Sequence, residues 1–225
     1  MAFTGFPQGG MDFLAALTRH NTKEWFQAHR PTYDQQVREP MVELVKGLNT
    51  RLEGFASAYL AHVPGAISRP NRDTRFSKDK KPYRTDIAAV FPRQGREKQE
   101  AAGFFFRISP EGIEVIGGVY LPGPPELARL RRWIATHHRE LTRILEAAPL
   151  CRAMGTLQGE QLQRVPKEFA PDHPAAALLR HKQWYLRAAL PPGQATDRRL
   201  EQELAKRFRL MTPFVTVLDG ALGNT

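Results

Sequence analysis

The spacing of the apolar side chains changes character along this chain, and that change restricts the fold more than any other feature. Phe26, Tyr33, Val37, Met41, Leu44, Leu48, Leu52 and Phe55 recur at helical steps, as a buried helical stripe requires. From Ile87 onward come short β-prone runs, Ile87 to Phe91, Phe104 to Ile108 and Ile113 to Tyr120, bounded by Pro or Gly. After Pro124 and Pro125, whose fixed φ suits a first helical turn, Leu127, Leu130, Ile134, Leu141 and Leu145 line one side of a further helix. The chain is irregular beyond Pro166, and Ala175 to Arg180 suits a short helix. Trp184 to Leu190 reads as a strand, and Leu200, Leu204, Phe208 and Met211 mark a final helix beginning near Thr196. Runs of helix flanking a run of strands predict an α+β fold. The expected architecture is a single domain over residues 1–225, a small, mostly antiparallel sheet packed with N-terminal, middle and C-terminal helices.

Local signals sharpen the outline. Phe13, Leu14 and Leu17 suit a first helix, and Thr22 is an N-cap for a second beginning at Lys23. Pro31 and Pro40 should kink or split the long run, and Pro213 should bend or end the last helix. Ser109-Pro110-Glu111-Gly112 reads as a hairpin turn, with glycine supplying a positive φ. Pro64-Gly65 is the one candidate boundary.

No apolar stretch in the 225 residues approaches the roughly 20 that a bilayer-crossing helix needs, so no membrane partner is expected. Met1 to Gly10 lacks the basic head and apolar run of a secretion signal. Cys151 is the single cysteine, which permits no internal disulfide and makes a cytoplasmic location the expectation.

Charge points to a partner class. The formal net charge is +10, and residues 66–99 alone carry ten basic and four acidic side chains. Within that stretch the run from Arg69 to Arg84 holds seven basic and two acidic groups, with proline near both ends and no helical or strand period. An ordered loop of this kind brings forked guanidinium groups and backbone amides toward an anion. The candidate ligand-binding residues are Arg69, Arg72, Arg75, Phe76, Lys78, Lys80, Tyr83 and Arg84, with Phe76 and Tyr83 offering ring faces to a base or sugar. The partner would be a phosphate-bearing ligand or nucleic acid. An alternative stands beside it: Asp73 and Asp79 pair with the loop's own cations and pin it to the core, leaving a structural or interaction protein.

The string Arg72-Asp73-Thr74-Arg75-Phe76-Ser77-Lys78-Asp79-Lys80, with Pro82-Tyr83, resembles the signature of domain-of-unknown-function family 2461, conserved hypothetical proteins of bacteria and fungi. Asn21, Trp25 and Phe26, then Gly117-Gly118-Val119-Tyr120 with Pro122, then Pro166-Lys167-Glu168-Phe169 and Asp172-His173-Pro174 are similar to further landmarks of that family in the same order. Lys81 and Arg84 depart from its usual residues without removing the basic character. The resemblance implies one intact family domain and brings no activity, cofactor or catalytic residue with it.

The searches for chemistry leave one enzymatic alternative. The chain has no phosphate-binding Gly-rich loop followed by Lys-Ser or Lys-Thr, no dinucleotide fingerprint and no Gly-x-Ser-x-Gly elbow. Gly117-Gly118 reads as a tight bend or a close backbone approach. Seven histidines include no spaced ligand pair, so neither a metal site nor a cofactor is expected. His173, beside Asp172, is a candidate acid or base, although the ordinary role for that pair is an Asp cap and a packed imidazole. Asp73 and Asp79 with Lys81 offer the ingredients of a magnesium-dependent enzyme acting on a phosphorylated substrate or nucleic acid. Cys151 beside Arg152 reads as inert packing.

Overall fold

The computed structural model describes residues 3–63, 65–96 and 101–223. Helices α1 (Gln8–Arg19), α2 (Lys23–Ala28), α3 (Arg30–Tyr33) and α4 (Glu39–Leu52) open the chain. The Thr22 hydroxyl accepts the Trp25 N–H at 3.3 Å, as expected of the N-cap of α2. Pro31 sits in the first turn of α3, where no donor is lost, and Pro40 follows a wide π-turn, Asp34–Arg38, that joins α3 to α4. The run therefore divides at His29, ahead of Pro31, while ahead of Pro40 it stays helical and only widens into the π-turn. The candidate boundary at Pro64-Gly65 falls partly outside the described residues, because Pro64 is not among them.

Strands β1 (Ile87–Pro92), β2 (Gly103–Ser109) and β3 (Gly112–Val119) follow, then α5 (Pro124–Leu145), α6 (Ala148–Met154), α7 (Ala176–Leu179), β4 (Trp184–Leu190) and α8 (Leu200–Ala221). The four strands form one antiparallel sheet in the order β1-β2-β3-β4. Gly112, at φ +149°, closes the β2–β3 turn in a conformation that L side chains rarely adopt.

Alternation along the strands gives the sheet two different faces. Phe91, Phe104, Phe106, Val115 and Leu186 point to one side and are buried. There α8 lies across them, with the Phe208 ring 4.7 Å from Phe104 and 5.4 Å from Phe91, centroid to centroid. Gly117 lets that helix close: a Cβ there would stand 2.7 Å from the Met211 sulfur. Each of these large side chains contributes about 1.5–3 kcal/mol by leaving water. The buried side chains of all the helical regions join this same core, so the chain is a single α+β fold.

Two details differ from the sequence expectation. The last helix starts at Leu200, not near Thr196, which sits in a short 3₁₀ turn, Pro192–Thr196. That helix also continues through Pro213. Pro213 and Arg209, whose carbonyl faces the missing N–H, are both on the exposed side of the helix, while Phe208, Met211, Phe214, Val215 and Leu218 hold both halves on the core.

Candidate functional site

The opposite face of the sheet stays open, and its outward positions build a cleft of about 630 Å³. In register across the strands, Val90, Phe105, Ile116 and Arg187 form one row, and Arg107 and Glu114 are direct cross-strand partners in the next. Tyr185 closes the far end with Tyr120 standing edge-on to it at 5.1 Å, and Leu121 and Arg84 complete the walls. The floor is apolar and aromatic, and the charged groups are three arginines and Glu114.

Those arginines form a relay of ion pairs. Arg84 donates to Asp86 at 2.6 Å, Arg107 lies 3.7 Å from the other Asp86 oxygen and also pairs with Glu114, and Glu114 pairs with Arg187. The carboxylates are the inner members: the Asp86 and Glu114 side chains are 14% and 15% exposed, against 36%, 41% and 51% for Arg84, Arg107 and Arg187. Acids held below and guanidinium groups held above give a cleft whose reachable surface is cationic although the network is nearly balanced. Three guanidinium groups share two carboxylates, so donors remain for a ligand, and each fork is already oriented by its acid.

The loop from Arg69 to Arg84 has a different organisation. Its two arms pair at Asn71 and Tyr83, with Arg72 N–H to Pro82 O and Arg84 N–H to Pro70 O, both 2.8 Å. Tyr83 is buried, its ring 4.0 Å from Phe26, and the Asn21 amide bonds both its N–H and its carbonyl at 2.9 Å. Arg72 binds Asp79 at 2.7 Å, and Arg75 forks onto Asp73 at 2.7 Å. Those contacts hold both carboxyl groups below the ordinary aspartate range, chiefly through the arginine hydrogen bonds. Lys80 donates to Thr74 O at 3.0 Å and Lys81 to Thr18 O at 3.3 Å. Arg69 and Lys78 are exposed, with no ion pair among the described residues. Phe76 is 95% exposed with the Arg75 guanidinium 5.8 Å from its ring. Of the loop residues singled out by sequence, only Arg84 lines the cleft.

The catalytic candidates stay apart. Asp73 and Asp79 are engaged with guanidinium groups, and His173 lies on another segment, its Nδ1 accepting the Ala175 N–H at 3.0 Å and its ring against Phe169 and His138. His173, not Asp172, makes the local turn contact. No group of three or more His, Cys, Asp or Glu side chains able to hold a metal occurs among the described residues. The Cys151 thiol donates to Leu145 O at 2.9 Å.

A family model described as a conserved hypothetical protein, DUF2461, matches residues 10–216. The chain belongs to the DUF2461 family. The resemblance carried by the Arg72–Lys80 string is thus membership, and the matched range takes in every strand and every cleft residue of this DUF2461 member. A search of curated proteins found no match, nor did a search of solved structures.

Sequence reasoning passed over Phe105, Arg107, Glu114, Ile116, Tyr185 and Arg187. Their signal lies in the strand alternation: with Phe104, Phe106 and Ile108 facing the core, Phe105 and Arg107 must share the other face. An aromatic residue on the solvent side of a strand, next to an arginine, is the mark to look for.

Proposed function

We propose that this DUF2461 member is a binding domain for a phosphate-bearing ligand that also carries a ring or apolar group, seated on the open face of the sheet. The observation that carries the reading is the inside-out network, with Asp86 and Glu114 beneath and Arg84, Arg107 and Arg187 at the surface. Phe105, Tyr120 and Tyr185 supply ring faces beside the cations. A volume of about 630 Å³ is right for one nucleotide-sized molecule. The lone thiol of Cys151 favours a cytoplasmic setting.

A second reading attaches to the basic loop. Exposed Phe76 with Arg69 and Lys78 unpaired among the described residues favours a nucleic-acid contact there, while Arg72–Asp79 and Arg75–Asp73 favour a brace. One titration series separates the sites. Nucleoside monophosphates, sugar phosphates and a single-stranded oligonucleotide are titrated in low-salt buffer against the protein, Arg107→Ala with Arg187→Ala, and Arg69→Ala with Phe76→Ala and Lys78→Ala. Loss of a charge-assisted fork should weaken a mononucleotide by about tenfold or more in the first variant only. If that variant binds as the parent does, or if no phosphate ester binds at millimolar concentration, the cleft reading is wrong. Oligonucleotide binding that vanishes only in the loop variant would transfer the function to the loop.

A further inference from the structure

The stretch Pro166-Lys167-Glu168-Phe169 and the residues around Asp172-His173 take no part in the sheet cleft. Of these, Lys167 and Phe169, together with Arg164, Val165 and Pro171, form one wall of a separate hollow of about 500 Å³, bounded on the other side by Ala176 and Ala177 of α7 and by Arg180. Arg164, Lys167 and Arg180 line it over a floor that includes Val165, Phe169 and Pro171. We infer that this hollow is an anion site for a phosphomonoester whose organic group lies on the apolar floor.

Three observations support the assignment, and none depends on the cleft. In the loop and the cleft most guanidinium groups are matched by carboxylates, whereas Arg164, Lys167 and Arg180 have no ion pair among the described residues. No carboxylate lines the hollow: Glu160 is taken by Lys182 at 3.1 Å, and exposed Glu168, on the same segment as Lys167, is not among the lining residues. In addition, the Arg180 Nε is buried and makes no hydrogen bond among the described residues. Buried donors are nearly always satisfied, so the guanidinium that lines this hollow is left with an incomplete set of partners.

The wall is also rigid before any ligand arrives. Arg131, itself buried, donates to the carbonyls of Leu179 and His181 at 3.1 Å each. Leu162 N–H reaches Arg180 O at 2.7 Å, and Lys182 N–H reaches Glu160 O at 2.8 Å. The backbone of Arg180 is therefore fixed on both sides, which spares a ligand the ordering cost of a mobile site. Two exposed cations, Arg164 and Lys167, then face the fixed one. Three cations without a facing acid suit a dianionic phosphate better than a single carboxylate.

The test is a titration of the full chain, in phosphate-free low-salt buffer, with inorganic phosphate, phenyl phosphate and a phosphoserine peptide, read by the Arg180 Nε–H NMR signal. The signal should move and saturate with the phosphate esters. Arg164→Ala with Lys167→Ala, both at exposed positions, should weaken phenyl phosphate by about tenfold. Phenyl phosphate binding more tightly than inorganic phosphate supports the apolar floor, and a preference for the peptide assigns a protein-borne phosphate as the source. An Arg180 signal that does not respond to any of the three, or an affinity unchanged in the double variant, overturns the site. These residues lie outside the sheet cleft, so failure here and failure there are read separately.

Discussion

Asp219 is fully buried at the far end of α8, and its carboxylate meets several groups. Tyr59 OH lies at 3.0 Å, Arg93 Nη1 at 3.1 Å and the Ala102 N–H at 3.2 Å. Burial, followed by the facing Asp219, raises the Tyr59 phenol above its ordinary range, so it stays a donor. Removing one member of a buried pair leaves the other charge without compensation, at a cost of about 3–5 kcal/mol. Asp219→Ala is therefore expected to lose that much in urea unfolding, and a loss under about 1 kcal/mol would show that the cluster is not a brace. The loop pairs belong to a different class. Arg75 and Asp73 side chains are 78% and 57% exposed, so water screens them and the pair contributes little to stability.

Among the elements, α8 does the most to decide which face of the sheet stays open. By covering the face of the sheet that carries Phe91, Phe104 and Phe106, it leaves Phe105, Arg107, Glu114 and Arg187 on the open side. The closeness of that cover depends on Gly117, where a methyl group would press on the Met211 side chain. Gly117→Ala should destabilise by about 1–3 kcal/mol through overpacking, measured by chemical denaturation. Because Gly117 neighbours Ile116 of the cleft floor, the same variant should also disturb ligand binding. Stability equal to the parent would mean that α8 has room to slide. The edge strands are covered as well: residues 66–68 bond along β1, and Gln158 pairs with Tyr185 on β4.

Over the whole molecule, proton linkage runs in one direction below neutrality. Burial lowers His181, and arginine hydrogen bonds lower Asp73, Asp79 and, to about 2, Asp197. In each case the folded state binds protons less readily than the unfolded chain, so stability rises with pH. The His181 contribution is complete above the unfolded histidine value of about 6.5 and is lost as pH falls through the lower folded value. The aspartate contributions follow below about pH 4. At the alkaline end Tyr33 is pushed up to about 12 by burial, so its contribution is complete below the ordinary phenol range of about 10 and is lost as pH rises toward 12. Unfolding free energy measured from pH 8 to 5 should therefore begin to fall near pH 6.5, and His181→Gln should flatten that first step. A parent curve that is already flat over this interval would contradict the burial of a neutral imidazole.

Read along the chain, apolar spacing determined the α+β class and the four strands, single polar and glycine residues marked the Thr22 cap and the Gly112 turn, and the basic string Arg72–Lys80 carried the resemblance to the family, because each depends on residues close in sequence. Helix ends were less legible: Pro213 lies inside α8, since packing on both sides outweighs one lost hydrogen bond. The candidate sites depended on tertiary structure. Arg84, Arg107 and Arg187 belong to three chain segments more than twenty residues apart and meet only when the sheet assembles. Arg164, Lys167 and Arg180 likewise converge only when α7 folds back. Composition could show that this chain carries excess cations. Which of them are met by an acid and which face open space is a matter of three-dimensional distance, because Coulomb attraction and hydrogen bonding act across space and not along sequence.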